Sequence, residues 1–186
     1  MGELAIGGWF YEPDYYYDAG MVVRALLEFA SRDGNFAVSV PLTPSGALEA
    51  GAPEMLEGIG AWMAINGQGI YGSKAWKKFS EGENVLPGGA LNREKAEFEF
   101  TADDLRFTVG KDGALYIWCM TVPPSGTTLH VRSCGRAAGL LEKAPANVTM
   151  LGSEAPVTWT INEDALTVTS PDTRNLRHAV GFRVMF

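Results

Sequence analysis

The sequence predicts an α/β segment followed by an all-β one: the last βα units of a (β/α)8 barrel, then an antiparallel β-sandwich. Three observations predict it. Residues 4–65 run strand, helix, strand, helix with short loops, and parallel strands need such crossovers. Beyond Gly72 the helical period never returns, and eight short strand candidates follow at the spacing of a sandwich. A complete barrel needs roughly 250 residues. The chain has 186, so its opening segment supplies only the closing staves. The predicted division is a barrel remnant over 1–72, a connector over 73–90 and a β-sandwich over 91–186.

The first predicted strand, 4–11, passes Gly7-Gly8 into Trp9-Phe10-Tyr11. Asp18 is the expected N-cap of the next helix, because a short carboxylate there accepts an otherwise unpaired N–H. Met21, Val22, Ala25, Leu26, Phe29 and Ala30 recur at three- and four-residue steps as one apolar face, and Arg24 and Glu28 mark the polar side. A turn at Asp33-Gly34-Asn35 starts a second strand over 36–40. Its near-continuous apolar run, Phe-Ala-Val-Ser-Val, is that of a parallel strand covered on both faces. Pro41 stops it. A second helix is expected over 53–65, with Pro53 at its start, Glu54 and Glu57 in the first turn, and Asn66-Gly67 closing it. Gly58 and Gly60 each cost helix propensity of about 1 kcal/mol against alanine, which suggests close approach of a neighbouring element.

The strand candidates of the all-β part lie at 96–100, 105–109, 114–121, 128–132, 147–151, 158–161, 165–169 and 179–186. Turn signals divide them, among them Lys111-Asp112-Gly113, Pro123-Pro124-Ser125-Gly126 and Asn162-Glu163-Asp164.

Composition narrows the function. With 46% hydrophobic and 20% charged residues the chain is ordinary globular material. A net charge of −7 with scattered basic residues argues against nucleic acid as a partner. No apolar run approaches the ~18 residues that would span a bilayer. Cys119 and Cys134, fifteen apart, and two histidines do not assemble a local metal site, so no metal is expected. The thiols read as reduced and partly buried, with a disulfide left open. His130 and His178 fall in predicted sandwich strands and read as structural or exposed.

In a barrel, acting residues sit where strands end. That rule selects Trp9-Phe10-Tyr11 and Ser39-Val40-Pro41-Leu42. Glu12, Asp14 and Asp18 raise the question of catalytic acids, but three acids in one loop read by default as solvated loop residues.

The wording Ser31-Arg-Asp-Gly-Asn, then Pro41-Leu-x-Pro-Ser-Gly, then Gly58-Ile-Gly-Ala-Trp-Met-x-Ile-Asn-Gly-Gln-x-Ile-Tyr-Gly-Ser-x-x-Trp76 resembles the end of the catalytic barrel of glycoside hydrolase family 29, the α-L-fucosidases. The resemblance resumes at Phe100-Thr-Ala-Asp-Asp-Leu-Arg-Phe-Thr108 and Ala114-Leu-Tyr116, as in their C-terminal sandwich. It implies that Trp9 walls the sugar pocket, although by residue type alone a core tryptophan is the commoner fate; Tyr11 is a weaker candidate. It also implies that the nucleophilic aspartate, the acid/base and the hydroxyl-holding histidines belong to earlier strands, so no catalytic residue lies in this chain. The parent's substrate would be a fucosylated glycan, hydrolysed without a metal or organic cofactor, in an extracellular, periplasmic or lysosomal setting. A rival reading is a non-catalytic carbohydrate-binding or interaction sandwich, with Trp118 or Trp159 on its face. Under either reading, a barrel remnant exposes sheet edges, so a homo-oligomer or a partner completing the barrel is expected.

Overall fold

The computed structural model describes residues 2–5, 11, 13, 18–40, 42–85 and 99–186. Strand β1 (Gly2–Ala5) pairs in parallel with β2 (Phe36–Ser39), Gly2 opposite Phe36 and Ala5 opposite Ser39. Helix α1 (Ala19–Ala30) joins them and α2 (Ala52–Asn66) follows β2, giving two βα units. Asp18 caps α1 as expected, its Oδ1 accepting from the Met21 N–H at 2.9 Å. Of the strand expected over 4–11, Leu4 and Ala5 fall in β1, residues 6–10 lie outside the described set, and Tyr11 stands outside any strand.

The β-rich part contributes β3 (Lys74–Glu81), β4 (Leu105–Val109), β5 (Leu115–Cys119), β6 (Thr128–Val131), β7 (Asn147–Met150), β8 (Thr158–Ile161), β9 (Leu166–Thr169) and β10 (Val180–Met185). One antiparallel sheet has the order β3-β4-β5-β10-β7 and the other β6-β9-β8. Period-two alternation sends Leu105, Phe107, Leu115 and Ile117 toward Leu129, Val131, Leu166 and Val168 of the opposite sheet, forming the sandwich core.

Two sequence readings need correction here. Residues 74–81, read as connector, form the edge strand β3 against β4. The register shifts between Ala75 and Ser80, so the strand carries no clean alternation for a sequence reading to detect. The candidate strand at 96–100 is not found at Glu99 and Phe100, and 96–98 lie outside the described residues.

The five-stranded sheet is also covered on its other face. Tyr116, Trp118 and Met120 pack with Val23 and Leu27 of α1 and Trp62 of α2. The molecule is therefore layered as helices, large sheet, small sheet. Trp118, offered above as an exposed binding aromatic, is 0% exposed, and Trp159 packs against the sandwich core. Helix α1 serves both neighbours, since Met21, Val22 and Ala25 meet α2 residues Ala52 and Met55 while Val23 and Leu27 meet the sheet. Its supposed polar side is thus interior, and Glu28 is 4% exposed.

Gly58 does permit close approach: a Cβ there would stand 3.2 Å from that of Ala19. A Cβ at Gly60 would meet nothing within 4 Å, so that glycine has no packing role. Cys119 and Cys134 are both free and buried, and burial pushes each thiol up to about 12, which keeps them inert.

Candidate functional site

The carboxyl ends of β1 and β2 lie side by side, because the parallel register sets Ala5 opposite Ser39. Trp9, with Glu12 and Asp14, lies outside the described residues. Tyr11 is 38% exposed. After β2 the chain forms a small closed loop in which Leu42 bridges Leu48, Thr43 N–H donates to Ala47 O at 2.9 Å and Gly46 N–H to Thr43 O at 2.8 Å. Leu42 and Leu48 are 52% and 43% exposed, an apolar rim open to whatever stands across it.

The helix starts that follow these strands meet a residue from the sandwich. His178, in a left-handed backbone conformation (φ 67°), reaches between them. A Cβ on Gly20 would lie 3.0 Å from its Nδ1, and one on Gly58 would lie 3.8 Å from its Nε2. Burial lowers the His178 imidazole below its usual value; Asp18 opposes this, and Arg24 and Arg177 add to it. The sequence reading placed His178 in a strand and did not connect it with the helices.

A second network holds the two parts together. Arg106 of β4, 0% exposed, donates through Nε to Glu28 Oε2 of α1 and through Nη2 to Asn84 O at 2.7 Å. Glu28 Oε1 takes Arg32 Nη2 at 2.7 Å, so the buried carboxylate sits between two guanidiniums. Burial works against the charged form of Asp104, yet hydrogen bonds from Asn84 and Thr101 outweigh it and hold the carboxyl below its usual range. Trp62 Nε1 donates to Ala179 O at 2.8 Å, and Asp33 Oδ1 accepts from Ala75 N–H at 3.3 Å. The turn at Asp33 (φ 61°), predicted as architecture, thus ties the start of β2 to the sandwich edge. A buried acid in α1 and a lone arginine in β4 carried the signal for the clamp, but nothing in the sequence pairs them.

The profile of the α-L-fucosidase family matches residues 3–68. Tissue α-L-fucosidase of Rattus norvegicus is 26% identical over 77% of this chain and 25% of its own length. The α-L-fucosidase of Branchiostoma floridae is 25% identical over 84% of this chain and 29% of its own. A Thermotoga maritima α-fucosidase solved in complex with fucose superposes with a TM-score of 0.73 at 16% identity, over 98% of this chain and 38% of that one. The α-L-fucosidase isoenzyme 1 of Paenibacillus thiaminolyticus gives 0.67 at 20% identity, over 98% of this chain and 38% of its own. Residues 3–68 match the α-L-fucosidase family, and the chain as a whole is similar to the C-terminal part of these enzymes. It spans about a quarter of the length of the curated fucosidases named here. The superpositions take in βα units and sandwich together, so the layered arrangement is the fold of the C-terminal part of these fucosidases.

Proposed function

We propose that this chain is the C-terminal portion of a retaining α-L-fucosidase, which hydrolyses α-L-fucosides once the rest of the barrel is in place. One observation carries the reading: β2 is the apolar strand of a parallel pair, yet Ala37, Val38 and Ser39 are all exposed. Helices cover such a strand on one side, and in a closed barrel its other side is core. Here that side is open, and among the described residues β1 and β2 form a sheet of only two strands. The missing cover corresponds to the missing three quarters of the relatives' length.

On this reading residues 1–72 are the barrel remnant, and Trp9, with Tyr11 beside it, walls the fucose site with an apolar ring suited to the C–H surface of a deoxy sugar. The nucleophile and the acid/base come from the preceding strands, and the chain alone is inactive. The open side of β2 also calls for a homo-oligomer or a partner that completes the barrel.

The test is an assay of the purified 186-residue chain on 4-nitrophenyl α-L-fucoside, before and after refolding with a polypeptide carrying the preceding six βα units of a family member. Release of nitrophenol only in the refolded mixture is expected. Turnover by the chain alone, unaffected by adding the other polypeptide, would overturn the reading.

A further inference from the structure

The sandwich carries a groove of about 550 Å³ between β3, the β4–β5 turn, β10 and residues 140–143. Its walls include Trp76, Lys77, Asp112, Glu142, Arg183 and Phe186. The Trp76 indole is half-buried and fixed from behind by Phe107, with ring centroids 5.2 Å apart. Phe186 is 42% exposed. Two ion pairs share the walls with these rings. Asp112 Oδ2 accepts from Arg183 Nε at 2.9 Å, from Arg183 Nη2 at 2.7 Å and from Tyr116 Oη at 3.2 Å. Lys77 Nζ lies 3.0 Å from Glu142 Oε1.

The pairing selects the ligand. Each acid named here faces a cation, so a cationic ligand has to break a pair to gain a counter-charge, and the one further charged side chain on the walls is the exposed Lys143. Hydroxyl groups face no such cost. A carboxylate offers about four acceptor sites and a guanidinium five N–H groups, so each pair keeps capacity toward the groove after its internal bonds are made. Asp112 Oδ1, for instance, receives the Ala114 N–H at 3.1 Å and retains a lone pair. Indole and phenyl surfaces beside such donors and acceptors suit a molecule with C–H faces and hydroxyl edges. The volume falls within the roughly 300–1,000 Å³ of small-ligand sites.

We propose that this groove, with Trp76 and Phe186 beside the Asp112–Arg183 and Lys77–Glu142 pairs, binds a neutral oligosaccharide. The inference goes beyond the fucosidase reading and does not depend on it, since its residues belong to the sandwich and the strand at its edge.

The full chain is titrated with 2′-fucosyllactose, lacto-N-tetraose and cellotetraose as neutral probes, and with 3′-sialyllactose and a heparin tetrasaccharide as charged ones, following the Trp76 indole N–H by NMR. At least one neutral probe is expected to move that signal with millimolar or tighter affinity. Asp112→Asn retains Oδ1 for the Ala114 N–H while removing the charge that holds Arg183, and weakens binding about tenfold. Trp76→Ala leaves a hole against Phe107, so the exposed-rim variant Lys77→Ala, also expected to weaken binding, guards against a folding failure. The proposal is overturned if no neutral probe moves the signal, if only charged probes do, or if binding survives both Asp112→Asn and Lys77→Ala unchanged.

Discussion

Strands β2 and β5 are both rich in apolar residues, and their surroundings could hardly differ more. Every residue of β5, Leu-Tyr-Ile-Trp-Cys, is buried, with the small sheet against one face and the two helices against the other. In β2, Phe-Ala-Val-Ser, only Phe36 is partly covered, while Val38 is 37% exposed. Apolar composition in a strand thus reports how many layers the strand is built to receive. The number it finds depends on the rest of the fold.

Lysine substitutions put the largest expected effect on this contrast. Ile117→Lys places an unpaired ammonium inside the sandwich core and costs about 3 kcal/mol or more, enough to abolish cooperative folding. In the chain without a partner or second copy over β2, Val38→Lys changes stability by less than ~0.5 kcal/mol, because the site is already wet. Urea midpoints of the two variants measure the difference. A Val38→Lys loss approaching that of Ile117→Lys would mean that β2 is covered in solution, and light scattering would then show an assembly.

The clamp between the regions comes next. Arg106→Met strands Glu28 in a buried setting with only Arg32 to answer it, at a cost of about 3–5 kcal/mol. Adding Glu28→Leu should recover much of that loss, since an apolar pair of similar size is often neutral. Recovery in the double variant distinguishes the penalty of an unpaired buried charge from that of poorer packing. If Arg106→Met shifts the denaturation midpoint no more than a surface change, the helices are not held to the sheet by this pair.

The smallest effect concerns pH. The folded protein favours the neutral His178 imidazole, whereas the unfolded chain takes up its proton near pH 6.5. Its contribution to stability is therefore present above about pH 6.5 and is lost as pH falls through the lower folded value. His178→Asn, which tolerates the φ of 67°, should flatten the fall in melting temperature over that window. An unchanged slope would assign the pH dependence to other groups.

Much of this molecule was legible from short-range pattern. Asp18 announced α1, Pro53 and Glu54 the start of α2, and Gly113, Gly126 and Gly152, with φ of 76°, 85° and 76°, punctuated the sandwich. Strand β3 escaped notice because its lysines and its register shift erase the alternation that marks an ordinary strand. The candidate site was readable only as a position, the carboxyl ends of two parallel strands, and Trp9 was chosen by family resemblance rather than by pattern.

By itself the sequence determined the kind and order of the elements, because periodicity and turn chemistry act over a few residues. Only the tertiary structure decided that Glu28 meets Arg106, 78 positions away, and that His178 lies against Gly20 and Gly58. It also decided that Trp118 faces helices and not solvent. Those facts depend on how layers stack and in what register, and a side chain's local pattern records that it needs a partner without recording which one.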